Sequence, residues 1–195
     1  GIAVLYRDVI AARLPRASAR GVACFALLFL VVFARYAIMV SRTIDGANNI
    51  HEQQYQMHRF VTEVYRAPIA VNDLGWTSFE NPYYVLDLFG LGSHTALKAR
   101  AENPVSGEWM QPLALVHDVR LAMIYPVWFG HIPCGWVHVG DLYLHGANVS
   151  VPFDHVSFYA VPPGDPAAIR KKIEAFLPML PPGPRFVFAS PREPN

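Results

Sequence analysis

The residues of this sequence that could bind a ligand or do chemistry follow two short apolar runs. Ile69–Val71 is the first run, and an amide, a carboxylate and an indole follow it within five residues. Residues 83–86 are the second run, and a carboxylate closes it. Carboxylates and amides can hydrogen-bond sugar hydroxyls, while an aromatic face can stack on the C–H surface of a sugar. The candidate ligand-binding residues are therefore Asn72, Asp73, Gly75, Trp76 and Asp87.

The position of these residues depends on the strands that precede them. Short apolar runs bounded by Gly, Pro, Asn and Asp are typical of strands buried on both faces of a parallel sheet. Ligands bind at the carboxyl ends of strands in open sheets of this kind. Two other roles remain open for the carboxylates: Asp73 and Asp87 could form an acid–base pair, or they could cap the turns that follow them. The sequence identifies no catalytic residue.

The sequence predicts neither a cofactor nor a metal site. A dinucleotide site requires a glycine-rich turn after the first strand, whereas residues 72–76 contain one glycine and a bulky indole. Cys134 fits no nucleophile motif, and Cys24 lies far from it in an apolar segment, so we expect no disulfide. The histidines of the second half lack the close pairing of a zinc motif. They are His131, His138, His145 and His155.

Composition points to a membrane and away from nucleic acid. The net charge is only +1, whereas 53% of the residues are hydrophobic and 16% are charged. Residues 21–40 contain a single charge, Arg35, and twenty helical residues span roughly 30 Å, the thickness of the hydrocarbon core. A signal-peptide core or a buried helix are the alternatives, but no good cleavage site follows the run. Four arginines precede it and place that flank in the cytoplasm: Arg7, Arg13, Arg16 and Arg20.

The rest of the chain predicts an α/β domain. An amphipathic helix over 44–66 should point Met57 and Val61 inward and Gln56 outward, and its polar run 48–54 either binds a partner or faces water. Strands should follow at 121–128, at 136–144 with a bulge at Gly140, near 155–160 and at 185–189. Ser93 and Asp165 should begin helices as N-caps.

We therefore predict a Rossmann-like three-layer α/β domain with a β-rich second half, preceded by one transmembrane helix. The predicted organisation is a cytoplasmic basic flank (1–20), a transmembrane helix (21–41), an extracytoplasmic domain (42–190) and a disordered tail (191–195). Because the first residue is Gly1 and not Met, we expect a fragment of a longer protein.

Two motifs carry a resemblance to a known family. Residues 70–76 read Ala-Val-Asn-Asp-Leu-Gly-Trp, and residues 85–91 read Val-Leu-Asp-Leu-Phe-Gly-Leu. Together with the preceding span and amphipathic helix, they resemble the C-terminal end of bacterial polytopic membrane glycosyltransferases of the GT-C type. This group is related to the dolichyl-phosphate mannosyltransferases and the aminoarabinose transferases. The resemblance covers about residues 21–91.

The resemblance implies an enzyme that moves a sugar from a polyprenyl-phosphate carrier to an acceptor outside the membrane. In that family the catalytic acid lies in the first external loop, which this fragment lacks, so no residue here is expected to be catalytic. The implied partners are the lipid bilayer, the remaining membrane domain of the parent protein, and a polyprenyl-phosphate-linked sugar or glycan. The alternative is a membrane-anchored extracytoplasmic binding or sensing module without catalysis.

Overall fold

The computed structural model of the chain describes residues 19–190, which form two compact units that divide between Thr43 and Ile44. Residues 1–18 of the predicted basic flank and the whole predicted tail, 191–195, lie outside the described residues.

The described part of the first unit contains one long helix, α1 (Ala19–Ser41). An apolar sequence without proline favours this helix, and its side chains are exposed from residue 21 onward. Within the described chain, this is the one helical segment long and apolar enough to cross a membrane. A secretory signal sequence would meet the same criterion of length and composition.

The predicted helix over 44–66 is present as three consecutive segments, and the first of them starts at Thr43, where the two units divide. The segments are α2 (Thr43–Glu52), α3 (Gln54–Arg59) and a π-helical turn (Phe60–Tyr65). Arg66 ends the turn in the left-handed conformation, with φ of 57°.

The inward face of this helical region is only partly as predicted. Met57 and Val61 are buried in the core, as the periodicity indicates. The prediction that Gln56 faces solvent is wrong, because its side chain is fully buried. Its amide donates to the His51 carbonyl at 3.0 Å and accepts from the Arg59 guanidinium at 3.1 Å. These bonds satisfy the polar group and so remove most of the cost of burying it.

A six-stranded mixed sheet with the order β2-β1-β3-β5-β4-β6 forms the centre of the second unit. The three strands β2, β1 and β3 are parallel, and β3, β5, β4 and β6 pair antiparallel. This arrangement confirms a mixed α/β fold. The strands are β1 (Ile69–Val71), β2 (Val85–Asp87), β3 (Leu121–Ile124), β4 (Val137–Tyr143), β5 (His155–Ala160) and β6 (Arg185–Phe188).

Two predicted local features are confirmed in the helices and in β4. The helices are α4 (Gly75–Ser78), α5 (His94–Glu102), α6 (Met110–Val116) and α7 (Pro166–Phe176). Ser93 and Asp165 cap α5 and α7 by accepting hydrogen bonds from backbone amides two or three residues on. The register of β4 against β5 shifts between His138 and Gly140, as expected for a bulge.

Apolar side chains cover both faces of the parallel strands. On one face, Val71 of β1 belongs to a cluster with Phe60 of the π-helical turn and Ile173 of α7. On the other face, Ala70 of β1 belongs to a cluster with Met110 of α6. Because successive strand residues point to opposite faces, this double burial explains why the run Ile69–Val71 is apolar throughout.

Candidate functional site

The five candidate residues lie at the carboxyl ends of β1 and β2: four of them follow β1, and Asp87 ends β2. Val71, the last residue of β1, is in register with Asp87, the last residue of β2. Asn72 and Asp73 directly follow β1, and α4 then begins with Gly75 and Trp76. Because β1 and β2 are parallel neighbours, their carboxyl ends, and with them the two predicted segments, lie at the same edge of the sheet.

Asp87 is the most fully engaged member of the group. One carboxylate oxygen accepts the backbone N–H groups of Phe89 (2.9 Å) and Gly90 (3.0 Å). The other accepts those of Gly92 (2.6 Å) and Ser93 (3.3 Å). The side chain is buried. Since four amides surround the two oxygens, the carboxylate holds the loop between β2 and α5 in shape.

Gly90 is required by the same loop. Its φ of +92° lies in the region that favours glycine, and a Cβ there would lie 2.7 Å from the backbone of Leu97. The short sequence from Asp87 to Gly90 thus combines an acceptor for backbone amides with the one residue type that fits the turn.

Asp73 is held by the helix that precedes β1. One of its carboxylate oxygens accepts a short hydrogen bond from the side-chain amide of Gln54, which starts α3. Burial raises the pKa of Asp73, the backbone N–H of Gly75 lowers it, and the charge of Asp87 raises it, so the net pKa is above the usual value. A Cβ on Gly75 would lie 3.1 Å from the Asp73 carboxylate, so this glycine gives the Asp73–Gln54 pair its space.

Asn72 connects the strand ends to a buried tyrosine. Its side-chain oxygen accepts the backbone N–H of Tyr125 at 2.7 Å, directly after β3. The Tyr125 hydroxyl donates a short hydrogen bond to the side-chain oxygen of Gln53. Burial and the negative charge of Asp73 raise the pKa of Tyr125 well above its ordinary value. The Nδ2 of Asn72 is buried and has no hydrogen-bond partner among the described residues.

Three residues of this network were not among the sequence candidates: Gln53, Gln54 and Tyr125. The predicted strand over 121–128 is too long, because β3 ends at Ile124 and a 3-10 turn follows at Pro126–Trp128. This prediction therefore places Tyr125 inside a strand and not at the strand end, where ligand-binding residues are expected. The glutamines belong to the polar run 48–54, but nothing in that run indicates which strand end they reach.

Trp76 is the one large side chain among the five candidates that is exposed, at 41%, and Gly75 beside it is exposed as well. It meets Tyr55 of α3 and Phe79 edge-on, with ring centroids 5.3 and 5.4 Å away. An open groove of about 580 Å³ lies on one side of the indole, and another of about 350 Å³ reaches Gln54 and Gly75. The indole and the adjoining Gly75 are therefore the parts of the group that an external molecule can contact most readily.

The polar face of α2 holds a loop of the same unit. Asn49 donates to the Ala147 carbonyl at 3.0 Å and accepts the Val149 N–H at 2.7 Å. Glu52 accepts the His145 N–H at 2.7 Å. The polar run 48–54 thus forms intramolecular contacts at these positions, which neither interpretation of the sequence anticipated.

A second polar cluster lies on the antiparallel half of the sheet. His138 and Ser157 both hydrogen-bond the same carboxylate oxygen of Asp141, at 2.9 and 2.6 Å. Burial would raise the pKa of Asp141, but the hydrogen bonds from His138 and Ser157, together with the charges of His138 and His155, outweigh it, and the net pKa is lowered. Because Ser157 bonds the carboxylate and not the imidazole, the cluster lacks the order of a nucleophilic triad.

Metal ligands are dispersed in the part of the chain that the structure describes. Between residues 19 and 190, no three His, Cys, Asp or Glu side chains are grouped so that they could hold a metal ion. Both cysteines are free and exposed.

Comparison with known families adds one relationship. Residues 48–159 match the family model described as "Domain of unknown function (DUF8728)". The chain belongs to this family. The DUF8728 region runs from α2 to β5 and contains all five candidate residues as well as Gln53, Gln54 and Tyr125. No curated protein and no solved structure matches the chain.

Proposed function

We propose that this chain is the C-terminal part of a bacterial GT-C-type membrane glycosyltransferase, in which it forms the last membrane span and an extracytoplasmic accessory domain. The sugar donor would be a polyprenyl-phosphate-linked sugar, and the catalytic residues would lie elsewhere in the parent protein. The observation that carries the proposal is that both motif segments, 70–76 and 85–91, belong to adjacent parallel strands and their following turns.

The contacts of the motif residues support an accessory role over a catalytic one. Asp87 is surrounded by four backbone amides, and Asp73 is bonded to Gln54. A carboxylate occupied in this way is poorly placed to transfer a proton to a substrate. These contacts favour a role for the two motifs in stabilising the turns of the domain and not in catalysis.

We also interpret the parallel strands β2-β1-β3, with apolar clusters on both faces, as a Rossmann-like half-domain. Under this interpretation the antiparallel strands β4–β6 are an extension of that half-domain. The interpretation would explain why the two motifs occur at neighbouring strand ends.

The proposed location follows from α1 and the arginines before it. A span at 21–41 with its arginine-rich side in the cytoplasm would put residues 44–190 outside the inner membrane. The proposed partners are the lipid bilayer and the remaining membrane domain, and nucleic acid is not among them because the net charge is only +1.

The topology can be tested with the two cysteines of the chain. Cys134 is exposed, so burial would not prevent its modification. In a Cys24→Ser variant expressed in intact cells, a membrane-impermeant maleimide should label Cys134. A Cys24→Ser/Cys134→Ser variant controls for background. Labelling of Cys134 only after the membrane is opened would contradict the proposed orientation.

The enzymatic part of the proposal requires the parent gene. Coding DNA upstream of Gly1 should encode further apolar spans and an acidic residue in the first external loop. The parent protein should then transfer sugar from a polyprenyl-phosphate donor, and replacing that acidic residue by its amide should abolish transfer. A start codon within a few residues of Gly1 would refute the glycosyltransferase proposal.

A second candidate function, a binding module without catalysis, is favoured by one observation: the exposed indole of Trp76 beside Gln54 and Gly75. A glycan stacked on this ring should change its fluorescence. Soluble oligosaccharides titrated onto the detergent-solubilised chain should shift the emission of the wild type but leave that of Trp76→Phe unchanged. An equal response of both proteins would exclude a site at Trp76.

A further inference from the structure

The second unit presents an aromatic and aliphatic surface around Trp76, which we call the α2–α4 surface. On α2 and α3, Ala47, His51 and Tyr55 recur every four residues and therefore share one side of the helical region. They line one groove together with Ile50 and Trp76, and the indole also borders the neighbouring groove with Phe79. Ile44 precedes Ala47 by three residues on α2 and so lies on the same side of the helix. Ile44 is 72% exposed and Phe79 is 55% exposed. The surface thus leaves large apolar side chains in contact with solvent.

The side chains that line the two grooves include no Asp, Glu, Lys or Arg. Trp and Tyr combine an apolar ring with a polar N–H or O–H, and this combination is enriched where a bilayer meets water. The one amide in the lining, Gln54, already donates to Asp73. The surface consequently offers apolar contact with few polar groups to orient a hydrophilic ligand.

The chain itself places the start of this surface close to the end of α1. Ile44 follows Ser41 by three residues, so even a fully extended connection keeps the two within roughly 10 Å. The headgroup regions together add roughly 10–15 Å to a hydrocarbon core of about 30 Å. If α1 spans a membrane, Ile44 must therefore lie in the headgroup region of the bilayer or next to it. This follows from the length of the connection alone and does not depend on how the second unit is oriented.

We propose that the α2–α4 surface contacts the headgroup region of the bilayer, with the indole of Trp76 inserted at the interface. Amphipathic helical surfaces bind in this way when apolar and aromatic residues share one side. Such a contact would restrict the motion of the second unit at the membrane. This inference rests on the proposed membrane placement of α1 but not on glycosyl transfer.

Quenching by brominated phospholipids tests the contact on the whole chain reconstituted into vesicles. Trp76 is the one exposed tryptophan of the four; Trp109 and Trp128 are half-buried and Trp136 is buried. Vesicles of phosphatidylethanolamine and phosphatidylglycerol with bromine near the headgroup end of the acyl chain should quench the wild type. The Trp76→Phe variant should lose this quenching, whereas Trp109→Phe should retain it.

A tryptophan of similar exposure elsewhere provides the matched control. Tyr84 is 47% exposed and precedes β2, at the opposite end of the parallel strands from Trp76. In a Trp76→Phe/Tyr84→Trp variant, the new indole should be insensitive to brominated lipid. Equal quenching at positions 76 and 84 would overturn the proposal, because it would indicate non-specific exposure to the vesicles.

Flotation of the vesicles after an alkaline wash separates the possible failures. If the chain does not float with the vesicles, the membrane placement and the inference are both overturned. If it floats but Trp76 is not quenched, only the inference is overturned. A response of Trp76 to soluble oligosaccharide together with no quenching by lipid would assign the surface to a glycan instead, which also overturns the membrane contact.

Discussion

Asp73 lies just after β1 and Asp87 is the last residue of the neighbouring parallel strand β2, yet different partners hold their carboxylates. The side-chain amide of Gln54 bonds Asp73, and four backbone amides of a single loop bond Asp87. The charge of Asp87 helps to raise the pKa of Asp73, after burial. The two residues are therefore electrostatically linked but structurally distinct, and substitutions should affect them differently.

Asp87→Ala should destabilise the protein strongly. The change leaves four backbone N–H groups without their acceptor in a buried loop, which should lower the free energy of unfolding by about 3 kcal/mol or more. Urea unfolding followed by circular dichroism measures the change. Ser93→Ala, which removes only the N-cap of α5, is the matched control and should cost about 1 kcal/mol. A smaller loss for Asp87→Ala than for Ser93→Ala would show that the loop does not depend on the carboxylate.

Asp73→Asn should change how stability depends on pH. The pKa of Asp73 is raised in the folded state, so the folded protein holds this proton more tightly than the unfolded chain does. The contribution of Asp73 is therefore most favourable below its unfolded pKa of about 3.9 and is lost as pH rises through the folded pKa. The asparagine variant should lose this decline, which thermal unfolding measured at a series of pH values from the unfolded pKa upward would detect. An unchanged decline would assign it to other groups.

Tyr125→Phe should destabilise the protein through Gln53. The substitution removes the hydroxyl that bonds the fully buried oxygen of Gln53 and should cost about 1–3 kcal/mol. Chemical unfolding measures the cost. Tyr84→Phe is the control, because its hydroxyl is exposed and lies 3.4 Å from His117, so its removal should change stability by less than about 0.5 kcal/mol. Equal effects would contradict a structural role for the Tyr125–Gln53 bond.

Asp141→Asn should reduce the sensitivity of the protein to acid. The pKa of Asp141 is lowered in the folded state despite burial, so its stabilising contribution is present above the unfolded pKa and is lost as pH falls through the lower folded pKa. The loss of stability that wild type shows in this acidic range should be smaller in the variant. Acid titration followed by near-ultraviolet circular dichroism tests this, and Asp154→Asn, at an exposed carboxylate beside His155, is the control. An equal change in both variants would exclude a specific role for Asp141.

The local features of the fold could be predicted because each depends on nearby residues. The N-caps at Ser93 and Asp165 need only a side-chain oxygen beside the first turn of a helix. The bulge at Gly140 follows from a shift of the apolar phase within one strand. The buried strand β1 follows from three consecutive apolar residues after a proline.

The partners of the candidate residues could not be predicted in the same way. The Asp73–Gln54 and Asn72–Tyr125 bonds join residues 19 and 53 positions apart. Gln56 has the same hydrogen-bonding groups as an exposed glutamine, so its burial becomes visible only when its neighbours are placed. Nothing in the local sequence distinguishes a polar side chain that faces water from one that pairs inside.

By itself, the sequence determined the apolar helix, the mixed α/β composition and the edge of the sheet where the candidate residues lie. These features follow from local patterns in the sequence: hydrophobic periodicity, the distribution of charge and the residue types at strand ends. Only the tertiary structure decided that Asp87 holds its own loop, that Asp73 bonds Gln54 and that Trp76 remains exposed. The physical reason is that a side chain's role depends on which distant groups share its surroundings, and packing of the helices on the sheet sets those surroundings.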